Sequence, residues 1–172
     1  MLNPYKVYLA FGTNLGSKVD NLQQAIKEVE RKVGKIQSVS SVYETIPFGF
    51  NSPNTFLNCV VCLNTSLSPV QLLKEIQTIE RNMGRIRNPS DVYEDRIIDI
   101  DIIFYDDIVL LTDNLQIPHP KLQQRMFVLQ PLVEIEPQMK HPVLKKTVEE
   151  LLWALLKIQN SALRSFDKIL TY

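Results

Sequence analysis

Cysteine is scarce in this chain. Cys59 and Cys62 are the only two, too few for a disulfide framework. Their C-x-x-C spacing invites a redox or zinc reading, but they sit in an apolar, β-branched run at 56–63. Residues three apart on a strand point to opposite faces, so the two sulfurs diverge and read as core filling. An excess of positive charge is also missing: Lys plus Arg and Asp plus Glu both number 19. That balance argues against a nucleic-acid surface. The N-terminus carries no positive-then-apolar leader pattern, and no apolar run is long enough to span a bilayer. A soluble, cytoplasmic protein with no nucleic-acid or membrane partner is expected. Glycine is sparse, with five residues, and neither G-x-x-x-x-G-K-[ST] nor a kinase glycine loop occurs. Any nucleotide site must therefore be built from other groups.

What is present argues for one domain. The 172 residues are 45% hydrophobic and 22% charged, enough apolar material for a packed core. Strand patterns fall at 6–11, 36–47, 55–65 and 97–105. A turn at 12–17 leads, with Ser17 as N-cap, into a helix to about residue 33, striped by Leu22, Ile26, Val29 and Val33 and closed by Gly34. Ser68-Pro69 opens a second helix, striped by Leu72, Leu73, Ile76 and Ile79 and ended by Gly84. Residues 48–54 and 85–95 read as loops. After a turn at 106–107, residues 108–111 are expected to pair back as a hairpin; 122–133 and 148–158 look helical. The order predicts an α+β fold with a ferredoxin-like βαββαβ core, an added hairpin and C-terminal helices in a three-layer αβα arrangement. A single domain over 1–158 is followed by a weakly patterned tail, 159–172, read as a loose appendage.

The chemistry concentrates around the fourth strand. Alternation places Ile98, Ile100, Ile102 and Phe104 on one face and Asp99 and Asp101 on the other, roughly 7 Å apart. Two like charges there repel, and Ile97 and Ile103 beside them are not solvent-seeking. Magnesium, held by one or two carboxylates plus substrate phosphates, would resolve the conflict; an ordinary acidic strand face is the other reading. Arg81, Arg85, Arg87 and Arg96 crowd the approach to this strand, and arginine forks match phosphate oxygens. The segment reads as a phosphate clamp or as a solvated loop. Residues 12–16, after a strand and before a helix, make an anion nest or a plain turn. His119, between Pro118 and Pro120, is well fixed for a phosphate contact, or is a loop histidine without a partner. Arg125 and Phe127 follow closely. His141 has no such company and reads as surface.

Taken in order, these pieces resemble the 6-hydroxymethyl-7,8-dihydropterin pyrophosphokinase family of the folate pathway. The matching segments are Gly12-Thr13-Asn14-Leu15-Gly16, Ser40-Ser41-Val42-Tyr43-Glu44-Thr45-Ile46-Pro47 and Phe56-Leu57-Asn58. Glu80-Arg81, Gly84-Arg85-Ile86-Arg87, Asp95-Arg96-Ile97-Ile98-Asp99-Ile100-Asp101-Ile102, Pro118-His119-Pro120 and Arg125-Met126-Phe127 complete them. The resemblance implies transfer of pyrophosphate from ATP to the pterin hydroxymethyl group, releasing AMP. It implies two Mg2+ ions on Asp99 and Asp101, and phosphate contacts from Arg85, Arg87, Arg96, His119 and Arg125. It puts Gln77, Glu80 and the Ile102 backbone on the nucleoside side. Phe56 and Phe127 would sandwich the pterin, with Asn58 and the backbone of Thr45, Ile46 and Phe48 reading its polar edge. Arg85, Arg96, Asp99 and Asp101 would carry catalysis, in a chain expected to work as a monomer. Tyr93 stands where Trp is common, Glu94-Asp95 where Gly-Pro is common, Asn114 where some relatives carry Arg, and Phe56 where Tyr is frequent. An RNA-binding module and a different magnesium-dependent nucleotide enzyme are the competing classes. Loops 48–54 and 85–95 are expected to move on binding.

Overall fold

The computed structural model describes residues 4–86, 94–159 and 164–166. Strand β1 (Tyr5–Thr13) is central and buried from Val7 onward. It pairs antiparallel with β4 (Phe56–Thr65) along its whole length and with β5 (Asp99–Tyr105) on its other side. On the far edge of β4 lie β2 (Gly34–Val39) and β3 (Val42–Thr45). The sheet order, β5-β1-β4 and then β2 and β3, is that of an antiparallel ferredoxin-like sheet.

Helices cover both faces, which is why β1 and β4 are nearly continuous apolar runs. Helix α1 (Lys18–Lys32) buries Leu22, Ala25, Ile26 and Val29. Helix α2 (Pro69–Asn82) buries Leu72, Ile76 and Ile79 against the same face. The α2 start is a complete capping box: Ser68 Oγ accepts from Gln71 N–H, Gln71 Oε1 accepts from Ser68 N–H, and Pro69 follows the cap. Opposite pack α3 (Met126–Ile135) and α4 (Val148–Gln159) through Val128, Leu129, Leu132, Leu151 and Leu155. Cys59 joins the first core layer and Cys62 the second, both as free thiols, as divergent strand positions require.

Several local expectations are corrected. The strand expected at 36–47 is two strands. Ser40 donates its N–H to the Val60 carbonyl and accepts Val60 N–H on its hydroxyl, and the register slips by one residue there. Gly34 does not merely close α1; it opens β2. A Cβ at Gly34 would lie 2.0 Å from the Asn64 carbonyl oxygen, so the strands meet only because the side chain is absent. Phe104 does not share a face with Ile100 and Ile102. A bulge opposite Tyr8 and Leu9 inserts Ile103, and Ile103 and Phe104 both join the α3–α4 layer. Residues 108–111 do not pair back on β5. Instead β6 (Leu110–Leu111) pairs with β7 (Gln116–Ile117), because the free edge of β5 already gives Ile100 N–H to Glu80 and Ile103 C=O to His119 N–H. The helix expected at 122–133 is a 3-10 turn (Leu122–Gln124), then extended Arg125, then α3. In the tail, β8 (Arg164–Phe166) pairs antiparallel with β3 as an edge strand, while 160–163 and 167–172, where the loose appendage is expected, lie outside the described residues.

His141, read as a surface residue, is buried at 6% exposure. Its Nδ1 accepts from the N–H groups of Val143 and Leu144, and its ring meets Phe104 edge-on at 5.6 Å. Burial pushes its pKa below the usual value, with a hydrogen bond to its own backbone opposing. The unfolded chain therefore binds this proton more readily than the folded one. The stability His141 contributes is complete above the unfolded value near 6.5 and is lost as pH falls below it. Urea midpoints should drop between pH 7.5 and 5.5, and the drop should be smaller in His141→Asn; an equal drop in both would remove His141 as a source.

Candidate active site

One pocket opens at the end of the sheet where β1, β3, β4 and β5 meet the start of α3. Its empty volume is about 600 Å³, counting the open mouth. Ala10, Phe11 and Gly12 form its floor; Thr45, Ile46, Phe48, Phe50, Phe56, Asn58, Phe127 and Val128 line one half. Arg96, Asp99, Asp101 and Arg125 line the other.

The apolar half is aromatic on several sides. Phe48 lies 6.1 Å from Phe127, centroid to centroid, and Phe50 meets Phe56 edge-on at 6.1 Å. Arg96 sits 5.3 Å over the Phe56 ring and Arg125 5.7 Å over Phe127, joining the aromatic half to the charged half by cation–π contact. Asn58 is buried at 4% exposure and donates from Nδ2 to Thr45 Oγ1 at 2.9 Å. A Cβ on Gly12 would come within 3.1 Å of Asn58 Oδ1, so glycine leaves the amide room to lie across β1.

In the charged half, the alternation of β5 turns Asp99 and Asp101 into the pocket while Ile100 and Ile102 enter the core. Arg85 Nη1 donates to both Glu80 and Asp99, and Arg96 Nη1 reaches Asp99 Oδ2 at 3.2 Å. Arg125 Nη1 donates to Asp101 Oδ2 at 2.7 Å. Burial alone would raise the Asp99 pKa; the guanidinium charges of Arg96 and Arg85 outweigh it and hold the carboxyl below the usual range. His119 Nε2 stands 3.8 Å from Asp101 Oδ2, while its Nδ1 accepts Lys121 N–H. Burial lowers its pKa, with Asp101 opposing, so His119 favours the neutral imidazole. Among the described residues, three arginines thus face three carboxylates within one cluster.

Of the residues expected at the site, Thr45, Ile46, Phe48, Phe56, Asn58, Arg96, Asp99, Asp101, Arg125 and Phe127 line this pocket. Arg85 and Glu80 stand behind Asp99, and His119 beside Asp101. Glu80, expected on the nucleoside side, is 1% exposed and has Oε1 committed to Ile100 N–H at 2.8 Å and to Arg85. Gln77 is half-buried one turn earlier on α2, and the Ile102 side chain is in the core. Arg87 and Tyr93 lie outside the described residues. Sequence reasoning missed Phe50, whose signal was an aromatic in an otherwise polar loop, and Gly12, whose role depends on a strand 46 residues away. It also missed Asn14 as a hub. Asn14 donates its N–H to the Arg96 carbonyl at 3.1 Å and accepts Arg96 N–H on Oδ1 at 2.8 Å. Residues 12–16 are therefore a structural turn in this respect.

A ferredoxin-like α+β domain with an aromatic pocket and a carboxylate–arginine cluster at one end of its sheet defines a class: small-molecule enzymes that handle an anionic group next to a flat ring. Comparison with known proteins narrows the class to one family. The model of 7,8-dihydro-6-hydroxymethylpterin-pyrophosphokinase (HPPK) matches residues 8–137, and the chain belongs to that family. A 2-amino-4-hydroxy-6-hydroxymethyldihydropteridine pyrophosphokinase of Aquifex aeolicus is 40% identical over 144 residues, covering 84% of this chain and 88% of that protein. The folic acid synthesis protein FOL1 of Dictyostelium discoideum is 43% identical over 145 residues, 84% of this chain but 22% of that protein; the chain thus spans about a fifth of that longer relative. In fold, it matches a Plasmodium falciparum HPPK-DHPS crystal structure with a TM-score of 0.77 at 21% identity, over 93% of this chain and 47% of that one.

The Glu80 bonds generate a stability test. Glu80→Ala leaves Ile100 N–H without its acceptor and removes one of two carboxylates from Arg85, and breaking a buried pair costs about 3–5 kcal/mol. Urea unfolding should show a loss of roughly that size; an unchanged midpoint would refute the structural role assigned to Glu80.

Proposed function

We propose that the chain transfers pyrophosphate from ATP to 6-hydroxymethyl-7,8-dihydropterin, giving AMP and the pterin diphosphate, as a step of folate synthesis. The carrying observation is that one cavity joins an aromatic, amide-lined half to a half in which Arg85, Arg96 and Arg125 surround Asp99 and Asp101. Family membership supports the same reading.

Magnesium fits the residues present. Among the described residues no three His, Cys, Asp or Glu side chains make a self-sufficient metal cage. Two partly exposed carboxylates aimed into one pocket are what Mg2+ uses when phosphates and water complete its shell. We assign Asp99 and Asp101 as ligands for two ions. When bound, Mg2+ would supply charge neutralisation on the triphosphate.

The chain's own residues supply position and charge. The pterin hydroxymethyl oxygen attacks the β-phosphorus, the bond from that phosphorus to the α–β bridging oxygen breaks, AMP departs with the oxygen, and the hydroxyl proton passes to solvent. Such a step needs alignment and charge stabilisation more than covalent help. Arg96 and Arg125 exchange carboxylate oxygens for phosphate oxygens, Arg85 adds its charge while still held by Glu80, and His119 and Arg87 are assigned to the same phosphates. Phe56 and Phe127 clasp the flat ring; Asn58, which both donates and accepts, reads its edge together with the backbone of Thr45, Ile46 and Phe48. Gln77 and the Ile102 backbone face the nucleoside, and Glu80 acts through Arg85 and β5. The loop 85–95, expected to move on binding, lies for the most part outside the described residues. No helix among the described residues is long and apolar enough to cross a membrane, and a monomeric, cytoplasmic enzyme completes the proposal.

The decisive assay supplies ATP, Mg2+ and hydroxymethyldihydropterin and reads nucleotide products. AMP should form and ADP should not; folded protein yielding no AMP sinks the assignment. Asp99→Ala and Asp101→Ala should each lower turnover by about 10³-fold or more while remaining folded. Retained turnover would remove the metal role.

A further inference from the structure

Asp95 lies just before Arg96, the arginine that enters the pocket. Its carboxylate accepts Asn14 Nδ2–H on Oδ1 at 2.6 Å and Asn54 Nδ2–H on Oδ2 at 2.6 Å. The Ser52 hydroxyl bonds to it as well, and Ser52 Oγ in turn accepts Asn54 N–H at 3.1 Å. Bonds from Ser52 first, then Asn54 and Asn14, hold the carboxyl below its usual range despite partial burial, so at neutral pH it is an acceptor only. Three donors from two separate segments converge on one charged group.

The donors come from elements with different tasks. Asn14 is 3% exposed, and its backbone N–H and side-chain Oδ1 bond the Arg96 backbone in both directions. Arg96 bonds Asp99 and covers Phe56. Ser52 and Asn54 belong to loop 48–54, whose Phe48 and Phe50 form the aromatic wall. The other tie between this loop and Asn14 is a long bond, Asn14 Nδ2 to the Asn54 carbonyl at 3.4 Å.

We propose that Asp95 is a positioning residue for the pterin half of the pocket: its carboxylate fastens the aromatic loop 48–54 to the Asn14–Arg96 anchor, so the wall is set before the ring arrives. The proposal rests on the pterin reading of the site. A loop ordered in advance does not have to be ordered at binding, and that saving appears as affinity for the ligand it contacts. Charge-assisted bonds of this kind are worth about tenfold or more in an equilibrium.

The test compares full-length Asp95→Ala, Asn54→Ala and the double variant by two readouts. Amide hydrogen exchange across 48–55 in the ligand-free protein reports the fastening alone and needs no activity. Steady-state kinetics report KM for the pterin against kcat. Asp95→Ala should speed exchange across 48–55 and raise the pterin KM about tenfold, with kcat falling far less. Asn54→Ala should do the same, and the double variant should be no worse than Asp95→Ala, because both remove one connection. Unchanged exchange and KM in Asp95→Ala would overturn the proposal, as would additive effects in the double variant. Were the AMP assay to fail, the exchange experiment would still judge the fastening.

Discussion

The Arg85 guanidinium is the interaction on which the site depends. It bridges Glu80 on α2 to Asp99 on β5, and Glu80 also accepts Ile100 N–H at the unpaired edge of that strand. One side-chain pair therefore sets the end of a helix and terminates a sheet edge, and its arginine joins Arg96 in holding a pocket carboxylate in its charged form. A buried carboxylate is tolerated only when paired and hydrogen-bonded. Glu80 meets both conditions, and β5 can then present Asp99 and Asp101 without collapse of the like charges into the core.

Around that fixed point the pocket divides by chemistry. The aromatic half comes from β4, α3 and loop 48–54; the ionic half comes from β5, Arg85, Arg96 and Arg125. Arg96 and Arg125 belong to both, each stacked on a phenylalanine and bonded to a carboxylate. A flat ring and a polyphosphate can thus be held end to end. The proposed reaction gives this division its meaning, since it would join those two chemical types.

Much of this was legible in the sequence where a single period governs a single core. The stripes Leu22, Ile26, Val29 and Leu72, Ile76, Ile79 identify their helices because each faces one layer. Asp99 and Asp101 stand out because β5 alternates faithfully as far as Ile102. Beyond it the alternation fails at Phe104, and the cause is a bulge set by pairing with β1, nearly a hundred residues away. Residues 108–111 were misassigned for a related reason: the partner they lacked was already taken by Glu80 and His119. His141 carries no local mark of burial, which arises from Phe104 and from the N–H groups of Val143 and Leu144. The Asn14–Asp95 and Asn54–Asp95 bonds span 81 and 41 residues. No periodicity announces contacts between irregular segments at such separations.

The equality of charge in the cluster bears on how a nucleotide finds the site. Among the described residues, Arg85, Arg96 and Arg125 are matched by Glu80, Asp99 and Asp101, and His119 favours its neutral form. Beyond about one Debye length, roughly 8 Å at physiological ionic strength, such a set projects little field. The whole chain, with 19 basic and 19 acidic residues, adds no net pull. For the described residues, encounter with a polyanion would then be governed by diffusion and shape, with weak dependence on salt. On the proposed reading, electrostatic selectivity begins only at contact, when Arg96 and Arg125 exchange one set of oxygens for another.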